Sequence, residues 1–461
     1  MKHTNDMTKG SPMKALILFS LPIITGNLFQ QFYNLVDIAI VGNRLGDDAL
    51  AAVGATAALY GLFLSLAPGA ANGFSLVVAR YFGARDKEGL KRSIALTAKL
   101  TLIVALLLTA VAVVFTKPLL ILLQTPDVEL SYRYISVVLF AVSVTVFYNM
   151  LSGILRAVGN SVAPLVFLII GALSNIGLDV LFICVFDKGV VGAAVATVLS
   201  QLISCILTAA YLVWKCRDIL PSKEHFASTP ANRELTRDLS GNAASMALMF
   251  SIVSIGSISL QFAVNNLGPA TVAAHTTARK IDETLMVVFA PLSIASATFS
   301  SQNLGAGKTD RIKRGIASAF ILGFGISVFC ILVTFLFGDT LVARISGSTD
   351  PLVLSQGAWY LKLNIPFYFF LVALVILRST LQSLGHKVAP IAASIVEMIG
   401  KVLIALLLVP RTGYLGVIVS EPIIWITCSL IVGGAFAFVL AGFRKLPART
   451  GKPVAVRAHS N

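Results

Sequence analysis

The sequence predicts an all-α polytopic membrane protein with twelve transmembrane helices in two pseudo-symmetric six-helix lobes. The 461 residues are 57% hydrophobic and only 12% charged, with a mean hydropathy of +0.87, which is far more apolar than an ordinary soluble domain. Twelve apolar runs are long enough to cross a hydrocarbon layer of about 30 Å. The first half of the chain is also repeated in the second half.

The predicted spans follow one another closely along the chain. The first run comes after three lysines, as in a signal peptide, but it continues to Val41 without a cleavage pattern of small residues, so we interpret it as a retained helix. The twelve spans are 14–41, 49–79, 93–117, 130–155, 162–186, 190–214, 239–266, 270–302, 315–338, 352–382, 388–409 and 413–442.

The net charge of +15 follows the membrane topology. With the N-terminus inside, 25 Lys and Arg residues, Arg378 and Lys387 among them, fall on the inner side and six on the outer side. This asymmetry places both termini in the cytoplasm. It also accounts for the basic composition, and we therefore expect no nucleic-acid partner.

An internal repeat divides the chain. Residues 83–95 align without gaps on residues 305–317, and shorter matches at Gly46 and Gly268, at Gly159 and Gly385, and at Gly189 and Gly413 keep the same order. We predict an N-terminal lobe at 1–215, a cytoplasmic linker at 216–238, a C-terminal lobe at 239–443 and a basic cytoplasmic tail at 444–461. Six crossings per half make the repeats parallel, as alternating access requires, although an inert duplicated bundle is also consistent with the repeat.

Several motifs resemble one family across nearly the whole chain. They are LPIITGNLFQQFYNLVDIAIVG at 21–42, ALAAVG at 49–54, RAVGN at 156–160 and QNLGAG at 302–307. The sequence resembles the multidrug and toxic compound extrusion (MATE) family, and within it the DinF-like branch. The resemblance implies a V-shaped pair of lobes in the inner membrane, which export lipophilic, often cationic compounds in exchange for H⁺ or Na⁺ with no cofactor.

Two carboxylates lie within apolar runs of the first half, where an unpaired charge is costly and function is the default expectation. Asp37 and Asp179 both sit about 12 Å below the outer ends of their helices, given a rise of about 1.5 Å per residue. Thr197 returns to this depth on the next helix, and Asn175 lies one turn from Asp179. The spacing therefore brings two acids, an amide and a hydroxyl to one level.

These four residues, Asp37, Asn175, Asp179 and Thr197, also resemble the cation site of the DinF branch position by position. Paired acids can share a proton, and the same oxygen ligands would suit Na⁺, so the sequence leaves H⁺ and Na⁺ coupling open. In the alternative interpretation, the acids are hydrogen-bonded structural groups, and the amide and hydroxyl join helices.

The second half departs from this set. The repeat aligns Asn175 with Lys401 and Thr197 with Glu421, and it aligns the two acids with Ser259 and Ala405. Lys401 and Glu421 can form an intramembrane ion pair, with Glu397 one turn from Lys401. This pair serves either as a structural salt bridge or in transport.

A second charged patch lies in the eighth predicted span. The patch consists of Arg279, Lys280, Asp282 and Glu283, with Arg279 and Glu283 at i,i+4 spacing. The patch either lines a path for substrate or protons, or pairs locally. By contrast, Gly69-x-x-x-Gly73 is typical of close helix packing.

Two other function classes remain open. A flippase for lipids or lipid-linked oligosaccharides would use the same pair of six-helix lobes. An intramembrane enzyme is disfavoured, because the sequence carries no His-Glu-x-x-His or Gly-x-Ser-x-Gly motif and no soluble catalytic domain. We therefore expect a monomeric transporter whose partners are small lipophilic or cationic compounds and membrane lipids.

Overall fold

The computed structural model describes residues 6–122 and 128–443, and every regular element in these ranges is helical. The helices of the first half are α1 Pro12–Ala84, α2 Lys87–Leu122, α3 Val128–Phe140, α4 Val142–Ala157, α5 Val162–Asp179 and α6 Gly189–Lys215. Those of the second half are α7 Pro230–Asn265, which begins in the predicted linker, α8 Pro269–Met286, α9 Phe289–Gly305, α10 Thr309–Ser346, α11 Pro351–Asn364, α12 Tyr368–Ser383, α13 Val388–Leu403, α14 Val409–Thr412 and α15 Tyr414–Phe443. The all-α class is confirmed.

The helices are long and apolar enough to span a membrane. Ten segments of the described chain meet this criterion, and an eleventh span is formed if the bent pair α3 and α4 crosses as one. The sequence predicted that pair as a single span at 130–155, but the helix bends by 40° between α3 and α4. The predicted span 49–79 lies in α1 beyond Gly46, where the backbone leaves helical geometry and divides α1 into two segments.

The chain forms two compact units. The first comprises Leu18–Ala247 with the residues before Thr8, and the second comprises Thr8–Ile17 with the residues from Leu248 onward. The predicted linker at 216–238 contains two short 3₁₀ turns and the beginning of α7. It is packed onto the first unit, because buried His225 contacts Glu88 of α2 at 3.1 Å and Asp238 pairs with Arg80 at 3.1 Å. The predicted tail at 444–461 lies outside the described residues.

The internal repeat is also seen in the backbone φ angles of aligned glycines. Gly46 and Gly268 have φ of 80° and 95°, Gly159 and Gly385 have φ of 85° and 88°, and Gly189 and Gly413 have φ of 58° and 61°. Each pair occupies aligned positions at the end of a helix, where the left-handed region favours glycine. Equivalent turns therefore carry the same conformation in both halves.

Close helix packing explains the glycines of the first unit at 69 and 73. A Cβ at Gly69 would lie 2.8 Å from Cα of Ala247, and one at Gly73 would lie 2.5 Å from the carbonyl oxygen of Asn242. Both contacts are to the backbone of α7, which cannot move aside as a flexible side chain could. The predicted packing role of this motif is confirmed.

Candidate functional site

Helices α1 and α5 bring the two acids of the first unit together. Asp37 is half-buried in α1, while Asp179 ends α5 with none of its surface exposed. Their carboxyl groups are close enough to interact. Asn175, 1% exposed, lies one turn before Asp179 on α5, so three of the four predicted site residues occupy one region.

These three side chains leave an unusual number of polar atoms unsatisfied. One oxygen of Asp37, both oxygens of Asp179 and both polar atoms of Asn175 are buried without a hydrogen-bond partner among the described residues. Buried polar groups in proteins are normally paired, because leaving one unpaired costs about 1–3 kcal/mol. Two adjacent carboxylates can bond each other only through a shared proton or a bound cation. The cluster is therefore chemically suited to hold either one.

Thr197 makes its side-chain contact within its own helix. Its hydroxyl donates a hydrogen bond to the carbonyl oxygen of Ala193 at 3.0 Å. Helix α6 packs against α5, but no hydrogen bond joins Thr197 to the acids or to Asn175 in the described structure. The hydroxyl oxygen retains lone pairs that could serve as a ligand.

Tyr33 belongs to the same region, although the sequence analysis did not single it out. It lies one helical turn before Asp37 on α1, and its phenol is close enough to interact with both acids. The i,i+4 spacing to Asp37 was the available signal. Its phenol adds a hydrogen-bonding group beside the two carboxyls.

A π-helical segment begins directly after Asp179. Residues Val180–Val185 follow α5 with this wider winding, and Ile404–Leu408 follow α13 in the same way in the second unit. π segments within α-helices occur frequently at functional sites. The acid therefore sits at a change of helical winding that both halves share.

The second unit contains a continuous network of ion pairs. The ammonium of Lys401 lies 3.3 Å from Glu397 and 3.2 Å from Glu421. Arg378 bonds Glu397 at 2.9 Å, and Arg279 lies 3.9 Å from Glu421. Lys401 thus contacts Glu421, as the spacing predicted. The network continues from Lys401 through Glu397 to Arg378, and from Glu421 to Arg279.

Arg279 forms the other end of this network. Its guanidinium lies 3.4 Å from Asp282 and 3.3 Å from Glu283. Asp282 is fully buried and accepts a hydrogen bond of 2.6 Å from the hydroxyl of Tyr368. Buried charges require such partners, since an isolated one is strongly unfavourable.

Arg378 lies within α12 and not in an inner loop, so its predicted place among the inner cations is wrong. It is only 7% exposed and lies within α12, where it pairs with Glu397. The prediction failed because Arg378 is close to the predicted end of a span, where Lys and Arg residues usually lie at the cytoplasmic surface and follow the positive-inside rule.

A cavity of about 460 Å³ opens beside the network in the second unit. Its lining includes Arg279, Glu283 and Glu421 from the network, together with Lys280, Tyr360 and His275. His275 is buried between the rings of Tyr360 and Tyr414. The charged patch on α8 therefore faces an open space as well as making local pairs.

Known proteins resemble this chain over nearly its full length. The MatE family model matches residues 22–181 and 245–407. The probable multidrug resistance protein YoeA of Bacillus subtilis is 26% identical over 95% of this chain and 96% of its own. The FAD transporter of Shewanella oneidensis is 26% identical over 92% of this chain and 94% of its own.

Solved structures share the fold. A multidrug resistance MATE family transporter in an outward-facing conformation superposes with a TM-score of 0.89 at 24% identity, covering 96% of this chain and all of that one. A MOP superfamily transporter from Pyrococcus furiosus, described as having a binding pocket of reverse polarity, gives a TM-score of 0.88 at 25% identity with the same coverage. The chain belongs to the MatE family and is a membrane transporter, not an enzyme.

Proposed function

We propose that this transporter is an efflux antiporter, which exports lipophilic, often cationic compounds in exchange for H⁺ or Na⁺. The relatives named as multidrug resistance and multidrug export proteins support small-compound export. The coupling part of the proposal is carried by one observation. Half-buried Asp37 and buried Asp179 lie next to each other, and three of their four carboxyl oxygens have no hydrogen-bond partner among the other described residues.

The pair can hold one coupling ion. A proton or Na⁺ between the two carboxyls relieves their repulsion in a medium of low dielectric constant. For Na⁺, the oxygens of Asn175 and Thr197 complete a set of hard ligands of the kind that alkali and alkaline-earth cations prefer. H⁺ needs only the carboxyls. Both ions therefore suit the residues present.

Release of the ion gives the site a second state. Two adjacent unneutralised carboxylates repel one another and draw in water, which favours a different arrangement of α1 and α5. Asp37 is the partly exposed member and gives the ion its access, whereas enclosed Asp179 retains it. In this proposal, ion occupancy biases the alternating access that the duplicated sequence predicts, so that substrate leaves as the ion enters.

The placement in the cell follows from the charge distribution. Without the buried Arg378, the excess of inner over outer Lys and Arg residues is 24 against six, which supports cytoplasmic termini. We propose that the protein lies in the plasma (inner) membrane. We propose a monomer that takes small compounds from the cytoplasm and is surrounded by membrane lipids.

Export of a fluorescent lipophilic cation from everted vesicles tests the proposal. A pH gradient and a Na⁺ gradient are imposed separately on vesicles that contain the wild type, Asp37→Asn or Asp37→Asn/Asp179→Asn. We expect transport under at least one gradient and none in the double variant. Asp310→Asn, which changes an exposed carboxylate paired only with Lys313 at 3.3 Å, serves as the control. Normal transport by the double variant would overturn the coupling proposal.

An anionic or lipid-linked substrate is the second candidate. The FAD transporter is as similar to this chain as YoeA is, at 26% identity, so the relatives do not restrict export to cations. Failure of cation transport under both gradients would favour this candidate, including a flippase of lipid-linked compounds.

A further inference from the structure

The cavity of the second unit contains polar groups that the ion-pair network does not satisfy. Tyr360 is 1% exposed and lines the cavity, and its hydroxyl has no hydrogen-bond acceptor among the described residues. It lies beside the guanidinium of Arg279. A phenol next to a guanidinium has its oxygen turned towards a donor, which leaves the O–H free to donate into the cavity.

A free cation lies at the same cavity. Lys280 is exposed and lines it, and its ammonium forms no ion pair with any residue that the structure describes. Lys280 and Tyr360 both provide hydrogen-bond donors that lack an acceptor among the described residues. A ligand in this cavity could supply that acceptor.

The acids of the cavity differ in how firmly they are held. Glu421 is nearly buried and is bound by Lys401 at 3.2 Å, so it is already neutralised. Glu283 is half-exposed and contacts only Arg279, at 3.3 Å. Exposed pairs of this kind contribute about 0–1 kcal/mol. Another acid could therefore replace Glu283 at little cost, and Arg279 would then be available to it.

We propose that this cavity binds the acidic group, a carboxylate or a phosphate, of an amphiphilic substrate. The acid is held by Lys280, Arg279 and Tyr360, and it displaces Glu283 from the guanidinium. The apolar part of the substrate lies against Ile258 and Leu260, which line the same cavity. The inference rests on the transport function proposed above and deepens its second candidate, because it defines the acidic group that the anionic substrates carry.

Equilibrium binding to the full-length protein in detergent tests this inference. The probe is dansyl-undecanoic acid, compared with its primary amide, and fluorescence reports binding. Lys280→Gln should weaken binding of the acid about ten-fold, because a hydrogen bond to a charged group is lost. Tyr360→Phe should weaken it about three-fold for the loss of a neutral donor. Glu283→Gln should strengthen it about three-fold, because the competing acid is gone. Lys313→Gln, in the same unit but outside the cavity, is the matched control.

The outcomes distinguish a lipid headgroup from a free amphiphile as the source of the acid. They also separate this inference from the coupling proposal. Equal binding of acid and amide, or unchanged binding in Lys280→Gln, would overturn the inference. Displacement of the probe by phosphatidylglycerol but not phosphatidylcholine would identify a lipid headgroup as the acid, whereas no displacement by either would identify a free amphiphile. The assay uses no ion gradient and measures binding alone, so failure here is distinct from failure of the coupling proposal.

Discussion

Lys401 and Glu421 form a buried ion pair, with Nζ 3.2 Å from Oε1, at the two positions that the internal repeat aligns with Asn175 and Thr197. The first half keeps neutral polar groups there, beside an acid pair without partners. The second half instead carries charges that neutralise one another. The duplication therefore preserved the turns and helices while the two halves acquired different electrostatic roles.

Breaking that pair from one side should be costly. Lys401→Met leaves Glu397 and Glu421 buried without their shared cation, which should reduce the free energy of unfolding by about 3–5 kcal/mol. Lys401→Met/Glu421→Gln should lose much less, since only one of the two acids keeps its charge. Thermal unfolding of the purified proteins in detergent compares them. Equal destabilisation in both variants would argue against electrostatic compensation.

The hydroxyl of Tyr368 should support buried Asp282. Tyr368→Phe removes the 2.6 Å hydrogen bond to that carboxylate and should destabilise the protein by about 1.5–3 kcal/mol, the range for bonds to charged groups. Tyr414→Phe is the matched control, because its hydroxyl lies 3.4 Å from the ring nitrogen of His275 and makes a weaker contact. Chemical unfolding monitored by tryptophan fluorescence measures both, and a larger loss in the control would contradict the assignment.

The packing of α1 against α7 should not tolerate a methyl group. Gly73→Ala would place Cβ 2.5 Å from the backbone oxygen of Asn242, and overpacking of this kind costs about 1–3 kcal/mol. Gly325→Ala, in α10 with nothing within 4 Å of its Cβ, should be neutral or stabilising by up to about 1 kcal/mol. The melting temperature should therefore fall in Gly73→Ala and stay the same or rise in Gly325→Ala.

Asp37 and Asp179 should lower the stability of the protein although export requires them. Asp179→Asn removes one of two buried carboxyls that lack partners, so the protein should unfold at the same temperature or a higher one while gradient-driven export is lost. Asp310→Asn should leave both properties unchanged. A large drop in melting temperature for Asp179→Asn would indicate a structural acid, the interpretation that the sequence also left open.

Much of this architecture could be predicted because the membrane restricts the choices. Long apolar runs must be helices, and acids within them are rare enough that Asp37 and Asp179 stand out. The neighbourhood of the two acids could be inferred from depth alone. Tyr33 could have been found from its i,i+4 spacing to Asp37, but Tyr360 could not, since aromatic residues in apolar helices usually only pack.

Other features depend on tertiary packing that no local pattern encodes. The break between α3 and α4 falls at Ala141, with neither proline nor glycine at the bend. The π segments after Asp179 and Leu403 consist of ordinary apolar residues, so the sequence does not distinguish them from α-helix. Arg378 was missed because a cation near the end of a span has the same signature whether it lies in a loop or is buried against an acid.

The most direct test of the account is ion release on substrate binding. The purified protein in weakly buffered solution is titrated with tetraphenylphosphonium, while a pH indicator and bound radioactive sodium are followed together. Binding of the organic cation to the wild type should release a proton or displace Na⁺, whereas Asp37→Asn/Asp179→Asn should bind the cation with neither release. Release that persists in the double variant would contradict the assignment of the coupling site to this pair.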